Sequence, residues 1–313
     1  MPHTGRRHIF FDACTYRLCI QGLNDKKQIK ERALELKSKE KERNFYASGF
    51  ALVLWELVSH LLDTEQEHNA RACRKALLFA YYHIADADEK ILVEPLPELG
   101  IAHEFKEVWG LADTAISESC AAALLANSES IARIVSDVAK LDLHSPIPAE
   151  CQQHILAYSE YMRNWFKCNT NSILQKLVTS GSTKESLHWI LDHMFNSFIM
   201  YAVKRPYWNL DGSKELYPLS FVFIEGFANR LYDASRTSVP IQDWCARKKL
   251  ANNFVDAMHL TVVADRAKAN QCIFVSEDKS ITTLSGKLSG TYDLIMGYEK
   301  YLTYLQPDNL ETA

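Results

Sequence analysis

His8-Ile9-Phe10-Phe11-Asp12 is a short apolar run of aromatic and branched residues closed by a carboxylate. Cys272-Ile273-Phe274-Val275, followed by Ser276-Glu277-Asp278, repeats that pattern near the other end of the chain. Aromatic and β-branched side chains suit the pleated strand, and a short apolar run bounded by polar residues suits one covered on both faces. Ile91-Leu92-Val93, just ahead of the breakers Pro95 and Pro97, predicts a third strand, and residues 45–48 a fourth. Helical spacing recurs elsewhere, at Ile131, Ile134, Val135, Val138 and Leu141, at Ile155, Tyr158, Met162 and Trp165, and at Leu187, Leu191, Met194 and Phe198. Strands that alternate with helices build parallel sheets, so the expected fold is α/β: a parallel sheet flanked by helices.

Between residues 100 and 245 the pattern is almost wholly helical, with breaks at His144-Ser145-Pro146-Ile147-Pro148 and Ser180-Gly181-Ser182. The expected organisation is therefore a sheet domain in two parts, 1–99 and 246–313, separated by a helical insertion over 100–245. Such an excursion leaves strand pairing intact, because loop-closure entropy grows slowly with length. No repeat period crosses it, which argues against a solenoid. Residues 25–43 carry eight basic and five acidic residues and read as a solvated helix or arm.

The 313 residues are 47% hydrophobic and 24% charged, which fits a globular protein and excludes disordered, collagen-like and coiled-coil compositions. A net charge of -4 provides no global positive field toward nucleic acid or anionic lipid, so a nucleic-acid site must be a local patch. Arg247-Lys248-Lys249 is the candidate for that patch. Apolar stretches are interrupted by charge well before membrane-spanning length, and the amino-terminal segment lacks a signal-peptide pattern; the expectation is a cytoplasmic protein without membrane association. The eight cysteines form no C-x-x-C pair, and there is no H-E-x-x-H, P-loop or dinucleotide-binding fingerprint.

In open parallel sheets, ligands bind beyond the carboxyl ends of the strands, where Asp12 and Asp278 are expected. Glu56 lies inside the apolar stretch Phe50-Ala51-Leu52-Val53-Leu54-Trp55-Glu56-Leu57-Val58, where burial is costly unless the carboxylate is paired or metal-bound. Asp256 lies in a second helical stretch, Phe254-Val255-Asp256-Ala257-Met258-His259. The set resembles the PIN-domain nucleases. That family's pattern is an Asp ending the first strand, a Glu in the second helix, an Asp in the helix before the fourth strand, and a hydroxyl-x-Asp after that strand. Phe10-Phe11-Asp12, Leu54-Trp55-Glu56-Leu57, Asp256 and Ser276-Glu277-Asp278 are the corresponding residues, and the resemblance covers residues 8–62 and 250–297.

What the resemblance implies is a PIN-like fold and a metal-dependent endoribonuclease that hydrolyses single-stranded RNA, with Asp12, Glu56, Asp256 and Asp278 as catalytic ligands of Mg²⁺ or Mn²⁺. Four acids at one edge repel one another unless a cation joins them, and hard oxygen donors suit these ions. Ser276 and Glu277 are expected in auxiliary roles. Ala13, where the family often has a hydroxyl residue, and Asn253, where some members have Asp, keep open an inactive PIN-like scaffold that binds RNA or a partner protein. A PIN-like deoxyribonuclease is the remaining alternative, since DNA presents the same phosphodiester. The insertion is expected to govern substrate choice or to receive a partner or inhibitor. Charge repulsion alone further predicts that Asp12→Ala without metal is no less stable than the native chain. The competing local expectation is that Asp12 caps a helix.

Overall fold

The computed structural model describes residues 7–94, 118–180, 272–279, 281 and 295–306. In chain order these form β1 (Arg7–Phe11), α1 (Ala13–Cys19), α2 (Lys26–Glu42), β2 (Phe45–Phe50), α3 (Ala51–Ser59), α4 (Glu67–Ile84) and β3 (Val93–Glu94). There follow α5 (Glu118–Lys140), α6 (Ala149–Ser180), β4 (Cys272–Val275), β5 (Ile295–Met296) and α7 (Tyr298–Tyr304). The architecture is α/β. The five strands form one sheet in the order β3-β2-β1-β4-β5, and every pairing is parallel, so all carboxyl ends share one edge.

All four strand expectations are met in kind, with shifted bounds: residues 45–48 extend to Phe50 and lie next to the central strand, while the third strand is Val93–Glu94. Ile91 instead makes an isolated antiparallel bridge with Ala85. A fifth strand, Ile295–Met296, had no distinctive run of its own to announce it.

Ile9, Phe10 and Phe11 of β1 and all four residues of β4 are buried, as expected for strands covered on both faces. Phe10 stacks on Phe50 with ring centroids 4.2 Å apart, and Phe274 closes that face at 6.4 Å from Phe50. Phe11 points the opposite way, among Tyr16, His83, Tyr298 and Tyr301. Gly49 shares that face: a Cβ there would lie 2.9 Å from Ile84 Cδ1, so the missing side chain lets the end of α4 sit against β2.

Residues 25–43, expected as a solvated helix or arm, do form a helix, but one face of it is buried. Asp25 caps α2 by accepting from Gln28 N at 2.8 Å, and Ile29, Ala33, Leu36 and Glu40 form a buried stripe along one face. The high charge of the segment masks this stripe because only three of its four members are apolar. Glu40 is fully buried, with Nε2 of His83 on α4 at 2.8 and 2.9 Å from its two oxygens. The Tyr301 hydroxyl of α7 donates to the same carboxylate. Burial and the Glu40 charge push the Tyr301 phenol well above its ordinary pKa, which keeps it a neutral donor.

The expected domain bounds also shift. Met1–Glu94, Asn127–Glu160 and Arg266–Ala313 make one compact unit, and Pro95–Ala126 with Tyr161–Asp265 the other. Residues 127–160, expected in the insertion, thus belong with the sheet. The end of α5 and the turn after it are met by basic side chains of the sheet's own helices: Lys26 Nζ donates to Ala139 O at 2.7 Å, and Arg74 donates to the turn carbonyls of Asp142, at 2.6 Å, and Ser145. Ile131, Ile134, Val135 and Val138 are buried, and the break at residues 144–148 separates α5 from α6. Among the described residues, no helix is long and apolar enough to cross a membrane.

Candidate functional site

The register Phe11↔Val275 places Asp12 and Ser276 side by side at the carboxyl edge of β1 and β4. The ladder continues one step beyond the strands, with Asp12 N donating to Val275 O at 3.1 Å and Thr15 Oγ1 donating to the same oxygen at 3.0 Å. Asp12 is the N-cap of α1: its Oδ1 accepts from Thr15 N at 2.8 Å. Its Oδ2 accepts from the Ser276 hydroxyl, and the Cys14 thiol lies 3.0 and 3.1 Å from the two oxygens. Asp12 is buried, and burial raises its pKa more than these donors lower it. Burial, followed by the Asp12 charge, also pushes the Cys14 thiol far above its ordinary value. Cys14 is therefore a donor to Asp12 and not a thiolate nucleophile.

Ser276 is fully buried and links the two acids, since its Oγ donates to Asp12 and accepts from Asp278 N at 3.0 Å. Its own N–H donates to Met296 O at 3.0 Å, which ties the turn to β5. Asp278 is half-buried. Glu277 is exposed and engages the start of α7, where its Oε1 accepts from Tyr298 N. The fit there is close, because a Cβ on Gly297 would come within 3.2 Å of that oxygen. The auxiliary role expected of Ser276 thus has a geometric counterpart in orienting the Asp12 carboxylate and fixing the Asp278 backbone, whereas Glu277 fastens β5 and α7 to the turn.

Glu56 occupies α3, which is the third described helix and follows β2 directly. Its expected burial in apolar surroundings is corrected: the side chain is 35% exposed, and its Oε1 lies 3.5 Å from Arg17 Nη2. Helical geometry explains this, because Leu54, Leu57 and Val58 turn inward while Glu56 falls at the edge of the buried face. Asp256, Arg247, Lys248 and Lys249 lie outside the described residues. Among the described residues, no group of three or more His, Cys, Asp or Glu side chains is arranged to hold a metal ion.

Sequence reasoning missed Thr15, Cys14 and Arg17. The spacing Asp12-x-x-Thr15 carried a capping signal for Thr15, but nothing local distinguished Arg17, whose partners Glu56 and Cys73 come from other helices. In comparisons with protein families, curated proteins and solved structures, nothing matches the chain.

Proposed function

We propose that the chain is a PIN-like, metal-dependent endoribonuclease acting on single-stranded RNA at the carboxyl edge of β1 and β4. The observation that carries this reading is the Ser276 bridge, which joins an acid ending the first strand to a hydroxyl-x-Asp motif following the fourth. Glu56 on the helix after β2 and Asp256 outside the described residues complete the proposed ligand set. The donor chemistry suits Mg²⁺ or Mn²⁺, because carboxylates are hard oxygen donors. A bound divalent ion would orient a water and lower its pKa for attack on the phosphodiester. Ser276 and Thr15 orient Asp12, and Ser276 also positions the Asp278 backbone.

The purified chain is expected to cut single-stranded RNA with Mn²⁺ or Mg²⁺, to stop in EDTA, and to gain several degrees of melting temperature from millimolar Mn²⁺. Cleavage unaffected by excess chelator would contradict the metal mechanism. A second reading, an inactive scaffold of the same fold, draws on the Arg17 guanidinium beside Glu56 and on the donors that surround Asp12. It predicts RNA or protein binding with no cleavage and no Mn²⁺ response.

A further inference from the structure

Arg17 lies near the end of α1, the helix that Asp12 caps, on the same helical face as Cys14 three residues earlier. Its Nη2 has two long contacts, 3.5 Å to Glu56 Oε1 and 3.5 Å to Cys73 Sγ. Neither holds it firmly: charge-assisted Arg–carboxylate bonds run at about 2.7–2.9 Å and are often bidentate, and a thiol sulfur is a weak acceptor. Its Nε is buried and has no hydrogen-bond partner. Nε and Nη2 form one edge of the guanidinium and hold two parallel donors, one enclosed and unused and one weakly engaged, so the edge receives a ligand only when the Glu56 contact opens. Such a fork matches two oxygens of a phosphate, and a buried N–H without an acceptor carries a desolvation cost that an incoming oxygen removes.

We propose that Arg17 is the phosphate-recognising residue of this edge, its Nε and Nη2 receiving non-bridging oxygens of a nucleic-acid phosphodiester. The choice of single-stranded RNA as the polyanion rests on the function proposed above; the anion chemistry itself does not. A polyanion approaching Asp12, Glu56 and Asp278 meets like charge, and a guanidinium already set against one of these acids offsets that repulsion. Phosphate binding opens this edge by exchanging the long Glu56 contact for a bidentate one.

The test is fluorescence anisotropy of a labelled single-stranded oligoribonucleotide in EDTA, titrated across salt concentrations for wild type, R17Q and R17K, with circular dichroism to verify folding. R17Q should weaken binding about tenfold and lower the slope of log affinity against log salt by about one. R17K keeps the charge but lacks the planar fork, so it should retain the slope and lose affinity severalfold. An oligodeoxyribonucleotide of the same sequence should show the same Arg17 dependence, because the phosphodiester is shared. Equal affinity and slope in all three proteins, an effect confined to RNA, or no binding by the wild type would overturn the proposal. If R17Q fails to fold, R17K decides, and wild-type affinity in that variant overturns it. The Mn²⁺ melting shift and RNA cleavage, measured on the same preparations, report separately on the nuclease reading: their absence with an intact Arg17 effect removes the nuclease and leaves the phosphate site.

Discussion

On the nuclease reading proposed above, Asp12→Asn should lower RNA cleavage at least about a thousandfold, the several kcal/mol of charge stabilisation that a metal-ligand set would supply. In EDTA near neutral pH it should be at least as stable as wild type. Asn remains a good N-cap, its carbonyl oxygen can accept one of the bonds now made by Thr15 N and Ser276 Oγ, and no buried charge remains. The contacts reverse the expectation for Asp12→Ala, which would strand the buried Thr15 N–H and Ser276 hydroxyl and should cost about 1–3 kcal/mol. The pH dependence follows from the raised carboxyl. Above the ordinary carboxylate range the folded chain holds a proton that the unfolded chain has released, so wild-type stability in EDTA should fall as pH rises through the Asp12 value. In Asp12→Asn this decline should be absent. Urea titrations across pH, with cleavage assays on the same proteins, check both parts; an active Asp12→Asn enzyme would remove Asp12 from the site.

Glu40→Ala should destabilise the chain by about 3–5 kcal/mol, among the largest single-residue effects expected here. The substitution leaves His83 Nε2 and the Tyr301 hydroxyl without their shared acceptor inside a core that includes Phe11 and Phe79. His83 Nδ1 already lacks a partner, so the residue has no second anchor. Tyr301→Phe removes one donor without opening a cavity and should cost about 1–2 kcal/mol. Replacing the three together by Leu, Leu and Phe is expected to recover much of the loss, since buried ionic groups are stabilising mainly relative to their half-broken forms. Urea midpoints decide the matter, and a Glu40→Ala loss under about 1 kcal/mol would show that the network is not a fastening between α2, α4 and α7. Because α7 begins at the N–H that Glu277 accepts, loosening it should also weaken any Mn²⁺ response of the neighbouring Asp278 turn.

How much of this was legible in the chain depends on the range over which each feature is encoded. Strands β1 and β4 were readable because a buried parallel strand must be apolar throughout, and Ile9-Phe10-Phe11 and Ile273-Phe274-Val275 are so without help from neighbours. Position at a strand end likewise followed from order alone, which is why Asp12 and Asp278 could be named. By contrast, β5 is two residues long and becomes a strand only because Phe274 and Val275 offer it a partner. Glu40 could not be distinguished from the other acids of α2, since its burial is set by His83 and Tyr301, 43 and 261 positions away.

The same division runs through the site. The sequence by itself determined the α/β class, the pairing of apolar runs with terminal carboxylates and the capping potential of Asp12, all of which are local consequences of residue type and period. Only the tertiary structure decided that Ser276 meets Asp12, that Glu277 engages the start of α7, and that Glu56 faces Arg17 at the edge of the buried surface. Which groups meet depends on strand register and helix packing, and those are minima of the whole chain's burial and hydrogen bonding that no short window of residues contains.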